Sequence, residues 1–157
     1  MAKLISADLT NHKLCVIEYT TNDGEMIYIN PDSFDAKVVS HTYTDIGKII
    51  FQKPISIIKY GAFYHRKNLT SVTIPNSVTI IGDFAFHECI SLTSVTIGKS
   101  VTSIGEKAFM CTDLEIVISY PIIPPEIYNS FIGFDKLIVP TGCEEAYANS
   151  NWGLYIK

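Results

Sequence analysis

The sequence predicts a solenoid, a fold in which short units of about 23 residues stack along one axis. Two observations carry this prediction. The stretch SVTIPNSVTIIGDFAFHECISLT, residues 71–93, is followed at once by SVTIGKSVTSIGEKAFMCTDLE, residues 94–115, which repeats the letters SVTI, SV, IG and AF in order. In addition, 47% of the residues are hydrophobic and 18% are charged, a composition that can fill a core and argues against disorder.

The repeats extend beyond this pair in both directions. Three clear repeats start near Ile49, Val72 and Val95, and a degenerate fourth starts near Ile116. A unit of this size cannot bury its own apolar face, so each unit must stack on the next. The sequence motif recurs because every coil presents the same apolar side chains to the same kind of neighbour.

Each unit is predicted to combine a short strand, a tight bend and an apolar plug. Residues 72–74 alternate apolar and polar side chains, which indicates a strand with one buried face. Residues 75–76, Pro-Asn, end the strand as a turn, and Gly82 permits a tight bend. Ala85 and Phe86 are then expected to fill the interior of the coil from a short helical turn.

The two ends of a solenoid expose apolar faces, so both are predicted to carry caps. Residues 1–48 form the N-terminal cap, in which residues 16–19 and 26–29 are expected to pair as a β-hairpin around the Asn-Asp-Gly turn at 22–24. The alternative is a separate small domain, which about 45 residues would support poorly. The repeats then occupy residues 49–139.

Residues 140–157 are predicted to form the C-terminal cap. The sequence Thr-Gly-Cys-Glu at 141–144 is typical of a capping box, in which Thr141 and Glu144 satisfy the first amides of a helix. We expect a short helix through Tyr147 and Ala148, followed by Trp152 over the last coil.

Residues 69–91 resemble the pattern LTSVTIPxSVTSIGxxAFxxCxS of the BspA-like, or treponemal-type, leucine-rich repeat family. Further resemblance to the family's cap and lead-in extends the match to roughly residues 30–157. The resemblance implies a right-handed β/α solenoid with short parallel strands. It also implies protein binding and cell-surface adhesion, often in bacteria, and it brings no catalytic residue.

Charge and motifs argue against several other classes of protein. The net charge is −4 and the basic residues are scattered, so we expect no nucleic acid partner. The chain has no apolar run of the roughly 18 residues that cross a membrane. Without a glycine-rich phosphate loop, a GxSxG or an HExxH motif, we expect neither an enzyme nor a cofactor.

Cysteine and histidine residues offer weak alternatives for metal or disulfide chemistry. Cys89 and Cys111 are expected at equivalent places in adjacent coils, but no pair of cysteines has the local spacing of a metal site. Buried cysteine is the favoured interpretation. His65, His87 and Glu88 lie in successive loops, where solvated side chains are favoured over a metal site.

Two sets of residues are candidates for contact with a partner. On the strands, the positions between buried residues are expected to face outward: Ile50, Thr73, Thr96, Val117 and Ile138. In the fourth repeat, Ile116 and Ile118 are expected to point inward, which turns Val117 outward. The favoured interpretation is that the caps cover the three apolar members of this set, and the alternative is that these three contact a partner or a second copy of the chain. The loops carry the second set: Tyr60, Tyr64, Phe84, His87 and Met110.

These features predict a non-catalytic protein-binding repeat module, with adhesion at the cell surface as the role that the resemblance implies. The alternatives are an intracellular scaffold or assembly subunit, including self-association, and a glycan-binding module that stacks sugars on Tyr60 and Tyr64. The first residues, MAKLISADLTNHKL, lack the apolar stretch of a signal peptide, which leaves a cytoplasmic location open beside a surface or secreted one.

Overall fold

A computed structural model describes residues 15–155 of the chain. Within this range the strands are β1 (Cys15–Thr21), β2 (Val38–Tyr43), β3 (Gly47–Phe51), β4 (Ile57–Ile58), β5 (Leu69–Thr73), β6 (Ile80–Ile81), β7 (Ser94–Ile97), β8 (Ser103–Ile104), β9 (Ile116–Ser119), β10 (Glu126–Ile127) and β11 (Lys136–Ile138). The one α-helix of the described residues is α1 (Glu144–Ala148), and short 3-10 helices span Pro31–Ser33 and Asn151–Tyr155.

The strands form two sheets that run along the stack. In the smaller sheet, β10-β8-β6-β4, each coil contributes one two-residue strand and all neighbours are parallel. In the larger sheet, β11-β9-β7-β5-β1-β3-β2, the strands β5, β7, β9 and β11 are parallel, with Val72 opposite Val95 and Val95 opposite Val117. This is a β-solenoid of about four turns, so the predicted stack of short parallel strands is confirmed.

Strand β1 interrupts the parallel series of the larger sheet. It lies between β3 and β5 and is antiparallel to both, with Tyr19 opposite Gly47 on one side and Val72 on the other. Its side chains alternate as a strand requires: Cys15, Ile17 and Tyr19 are buried and the residues between them are partly exposed.

The hairpin predicted from residues 16–19 and 26–29 is therefore wrong. Residues 25–30 belong to no strand, although Ile27 and Ile29 are buried as the alternating pattern indicated. The Asp23 carboxylate accepts the Glu25 amide at 2.9 Å in a local turn, and β1 takes its partners from elsewhere in the chain. The hairpin of this region is formed instead by β2 and β3.

A column of phenylalanine rings fills the interior of the coils. Phe63, Phe86, Phe109 and Phe131 stack in order, with ring centroids 4.7, 5.0 and 5.1 Å apart and planes within 5° of parallel. All four rings are at most 2% exposed. The repeated Ala-Phe pair is thus an interior plug, because equal coils bring equal rings into register.

Other aromatic residues meet the two ends of this column. The ring of Phe34 packs edge-on against Phe51 and Phe63, at 4.9 and 5.9 Å. At the other end Trp152 is fully buried 5.3 Å from the Phe131 ring. Its indole Nε1 donates a hydrogen bond of 2.8 Å to the carbonyl of Pro125, so the buried N–H is satisfied.

Two details of the C-terminal half differ from the sequence-based expectations. The short helix through Tyr147 is present, but Cys143 precedes it and no side chain caps its first turn, so the Thr141–Glu144 capping box is wrong. Cys89 and Cys111 are not equivalent either. Cys89 is buried, whereas Cys111 is exposed. Cys111 has a positive φ, as Glu88 does in the preceding coil.

Candidate binding surfaces

The outward side of the parallel strands forms the first surface, here called the strand face. Thr73, Thr96, Ile118 and Ile138 lie opposite one another in adjacent strands. Thr73 and Ile138 are exposed, while Thr96 and Ile118 are half-buried. Three of the predicted positions, Thr73, Thr96 and Ile138, thus lie in one row.

The assignment of Val117 to this face is wrong, because Val117 is fully buried. It lies opposite Val95 and Leu137, so it belongs to the inward set. A one-residue deletion before β9 shortens the spacing of the repeat, and the strand then presents Ile116 and Ile118 outward. The sequence pattern admits both registers, since four apolar or small side chains follow one another from Ile116 to Ser119.

Ile50 is half-buried and lies outside the row of Thr73. It is opposite Val16 on β1, which separates β3 from β5. Two residues further along the same pair of strands, Lys48 lies opposite Glu18, and their side chains form an ion pair of 3.4 Å. The strand face therefore changes from charged near β1, through threonine, to isoleucine near β11.

The loops between the two sheets form the second surface. Five rings, here called the aromatic cluster, follow one another as Tyr60, Phe84, His87, Tyr64 and His65, with centroids 5.5, 5.1, 5.7 and 5.7 Å apart. Tyr60 is 71% exposed and Tyr64 is 45% exposed. Four of the five predicted loop residues are thus in ring contact.

Met110 is the predicted loop residue that no ring contact joins to this cluster. It is half-buried in the next coil, and its carbonyl accepts the Glu88 amide at 3.0 Å. The sequence places it correctly in a loop, but its side chain is not part of the described ring row.

Phe84 has an unusual backbone conformation that recurs in the other coils. Phe84 has a φ of 56°, and the matching residues of the other coils, Gly61, Lys107 and Asn129, have values of 60°, 54° and 52°. This left-handed conformation costs a residue other than glycine roughly 1–2 kcal/mol. Hydrogen bonds between coils hold it in place, for example from the Phe84 amide to the Glu106 carbonyl at 2.9 Å.

Charged groups surround the rings in pairs. His65 Nδ1 lies 2.6 Å from Glu88 Oε2, and this hydrogen bond lowers the pKa of Glu88. The negative charge of Glu88 in turn raises the pKa of Tyr64. At the other side Lys107 lies 5.5 Å above the Phe84 ring and 3.5 Å from Glu106.

A pocket of about 520 Å³ opens beside the aromatic cluster. The residues that line it include Asn30, Tyr60, Tyr64, Arg66, Phe84 and His87. The Arg66 guanidinium carbon lies 5.2 Å from the centre of the Tyr28 ring. Arg66 and Asn30 were not among the residues singled out from the sequence. Arg66 lies in the same loop as Tyr60 and Tyr64, and Asn30 is brought close to that loop where the Lys59 amide donates to the Ser33 carbonyl at 2.9 Å.

Comparison with known proteins identifies the repeat. Residues 29–131 match the family model described as BspA type leucine rich repeat region, in six copies. The chain belongs to this family. The resemblance seen in residues 69–91 is thereby confirmed.

Solved structures of leucine-rich repeat proteins are also similar to this BspA-type chain. A leucine rich cell surface protein of Faecalibacterium prausnitzii is 24% identical, with a TM-score of 0.36, over 78% of this chain and 42% of that one. The Leucine Rich Repeat protein of T. pallidum is 24% identical, with a TM-score of 0.33, over 60% of this chain and 50% of that one. The chain thus spans about half the length of these proteins or less. No curated protein matches its sequence.

The cysteine, histidine and acidic side chains of the described residues were candidates for metal or thiol chemistry. Among residues 15–155, no three histidine, cysteine or acidic side chains are grouped to hold a metal ion. The Cys89 thiol donates to the Phe63 carbonyl at 3.0 Å, and burial raises its pKa to about 12. The described part of the chain also has no helix that is long and apolar enough to span a membrane.

Proposed function

We propose that this chain is a non-catalytic protein-binding module whose contact surface is the aromatic cluster. The observation that supports it is a row of contacting rings at the surface, two of them tyrosines at least 45% exposed, beside Arg66. Tyrosine and arginine are enriched among the residues that contribute most to the affinity of protein interfaces. Membership of a repeat family used in surface proteins agrees with this role.

The stack would act by holding these rings in place before the partner arrives. The loop backbones of successive coils are joined by hydrogen bonds, such as His65 amide to His87 carbonyl at 2.9 Å. Side chains held in advance lose little conformational freedom on binding, which favours affinity. The buried column of phenylalanines keeps the spacing of the loops constant.

The cell-surface role is part of this proposal. Protease treatment of intact cells tests it, because a chain that is exposed outside the cell would be removed.

Replacement of Phe84 by asparagine tests the contact surface. Asparagine stands at the matching position of a later coil, Asn129, and tolerates the left-handed backbone better than phenylalanine. Phe84→Asn therefore removes a ring from the cluster while relieving backbone strain. We expect loss of binding to the proteins that the wild type selects from an array of purified candidates, at an unchanged or higher melting temperature.

Cys111→Asn is the matched control for this test. Cys111 also has a positive φ, of 57°, but lies in a later loop with an exposed side chain. Its replacement relieves the same kind of strain and should leave binding intact. If Phe84→Asn binds every selected protein as the wild type does, the aromatic cluster is not the contact surface.

A second candidate surface is the isoleucine end of the strand face, where two copies of the chain would meet. Ile116, Ile118 and Ile138 lie on adjoining strands and are at least partly exposed. Clustered apolar side chains on an open sheet are typical of contact sites. Light scattering over a range of concentrations tests this, since a dimer should form in the wild type and weaken in Ile118→Thr.

We further propose that the solenoid winds right-handed and that residues 1–48 and 140–157 cap the repeats at 49–139. The burial of Trp152 against Phe131 supports the C-terminal part. Trp152→Ala should destabilise the fold by about 3–5 kcal/mol, as removal of a buried aromatic ring does. Urea unfolding measures this loss, and an unchanged free energy of unfolding would contradict the assignment.

A further inference from the structure

Two buried nitrogen atoms without partners lie beside the same pocket. Within residues 15–155, Arg66 Nε and His87 Nδ1 are the buried side-chain nitrogen or oxygen atoms that make no hydrogen bond within the protein. Both residues line the pocket next to the aromatic cluster. Native proteins leave few buried polar groups unpaired, so two in one pocket point to a group that binds both.

The charge of Arg66 indicates the chemistry of that group. Arg66 forms no ion pair with any residue between 15 and 155, and its guanidinium lies over the Tyr28 ring. A guanidinium held above an aromatic ring can still donate hydrogen bonds from its N–H groups. The planar fork of these donors matches the two oxygens of a carboxylate.

The carboxylates nearest to this position each have a partner of their own. The nearby carboxylate of Glu88 is engaged by His65 at 2.6 Å. Glu106 lies 3.5 Å from Lys107. His87 can add a second donor when its Nδ1 carries the proton.

The walls of the pocket indicate what accompanies the carboxylate. Tyr60 and Phe84 supply apolar ring surface, which a small free anion would leave uncovered. The side-chain oxygen of Asn30 already accepts the Asp32 amide at 3.1 Å, so this acceptor is engaged within the protein. An acidic side chain with an apolar neighbour fits these walls better than an acidic sugar.

We propose that this pocket binds an aspartate or glutamate side chain of the partner protein, with its carboxylate on Arg66 and His87 and an adjacent apolar side chain against Tyr60 and Phe84. This inference rests on the protein-binding function proposed above and names the chemistry of its partner.

NMR titration of the isotope-labelled chain tests the proposal directly. The probes are acetyl-Leu-Glu-Phe-amide, its uncharged twin acetyl-Leu-Gln-Phe-amide, and methyl glucuronide as an acidic sugar. We expect the glutamate peptide to shift the Arg66 Nε–H signal and the ring signals of Tyr60 and Phe84 in a saturable manner. The glutamine peptide should bind roughly tenfold more weakly, because it lacks the charge-assisted hydrogen bonds.

Two variants complete the experiment. Arg66→Gln should lower the affinity for the glutamate peptide to the affinity that the wild type has for the glutamine peptide. Lys67→Gln removes the adjacent exposed charge and should leave binding unchanged.

The possible results separate this inference from the function on which it rests. Equal binding of the two peptides would overturn the carboxylate site while leaving a peptide-binding surface. Shifts with methyl glucuronide alone would overturn it in favour of a sugar. The absence of shifts with either peptide would also overturn it, and the Phe84→Asn array comparison would then decide separately whether the cluster binds proteins.

Discussion

At the scale of single residues, Phe86 is held between two other rings of the phenylalanine column. Its ring lies between Phe63 and Phe109, 4.7 and 5.0 Å away, and is fully buried. Phe86→Ala should lower the free energy of unfolding by about 3–5 kcal/mol, because the coils on either side cannot close the cavity. Urea denaturation measures the loss, and an unchanged melting temperature would refute the interior column.

Asp35 makes a local contribution that depends on pH. Burial alone would raise its pKa, but hydrogen bonds from the Ser56 hydroxyl and from the amides of Ser56 and Ile57 bring it below the ordinary value of 3.8. A carboxylate with a lowered pKa stabilises the fold above its unfolded pKa, and this stability is lost as the pH falls through the folded value.

Asp35→Asn should therefore reduce stability by about 1 kcal/mol at pH 7, a modest figure because the carboxylate is partly exposed. The difference from the wild type should shrink as the pH falls below about 4 and through the lowered pKa of Asp35, because protonation then leaves both side chains uncharged. Urea unfolding from pH 7 to pH 3 measures both. A difference that stays constant with pH would mean that the charge of Asp35 is not the cause.

At the scale of elements, β9 provides the sharpest contrast between neighbouring positions. Val117 is fully buried and Ile118 is partly exposed opposite Thr96. Val117→Thr should cost about 1–3 kcal/mol, because it buries a hydroxyl without a partner. Ile118→Thr copies the preceding coil and should change stability by less than about 1 kcal/mol. Chemical denaturation of both variants tests the register, and the opposite order would return β9 to the register predicted from the sequence.

The elements also separate what the sequence predicts from what it does not. The strands around Val72 and Val95 are predictable because identical letters at one spacing must take identical places in a stack. The alternating pattern of β1 indicates a buried face, yet it says nothing about the neighbours, because backbone pairing leaves no mark on side-chain order. Hence β1 was expected beside residues 26–29, whereas it lies between β3 and β5.

In the candidate site, too, the sequence predicts the position of some residues and not of others. Tyr64 and His87 stand one repeat apart, and Tyr60 and Phe84 lie in the same two loops, so the proximity of these rings follows from the period. Arg66 lies in the same loop as Tyr64, two residues later along the chain. Asn30 reaches the pocket through a contact between distant segments, Lys59 with Ser33, which no local sequence pattern indicates.

At the scale of the whole molecule, the buried side chains form one continuous core from Cys15 to Trp152. Cys89 lies within it, with a thiol pKa raised to about 12, so it should react with a thiol reagent only when the core opens. In a background in which Cys15, Cys111 and Cys143 are replaced by serine, we expect the labelling rate of Cys89 to rise with denaturant concentration with the slope of global unfolding. Rapid labelling without denaturant would indicate that single coils open independently.

The position of β1 has a consequence for how the chain is made. A ribosome delivers β1 before either of its neighbours, and its second neighbour, β5, begins at Leu69. Hydrogen bonds such as that between Thr20 and Thr70 join residues 50 positions apart, a separation that slows pairing because a long loop must close first. The larger sheet around β1 can therefore be completed only after β5, which ends at Thr73, has been made.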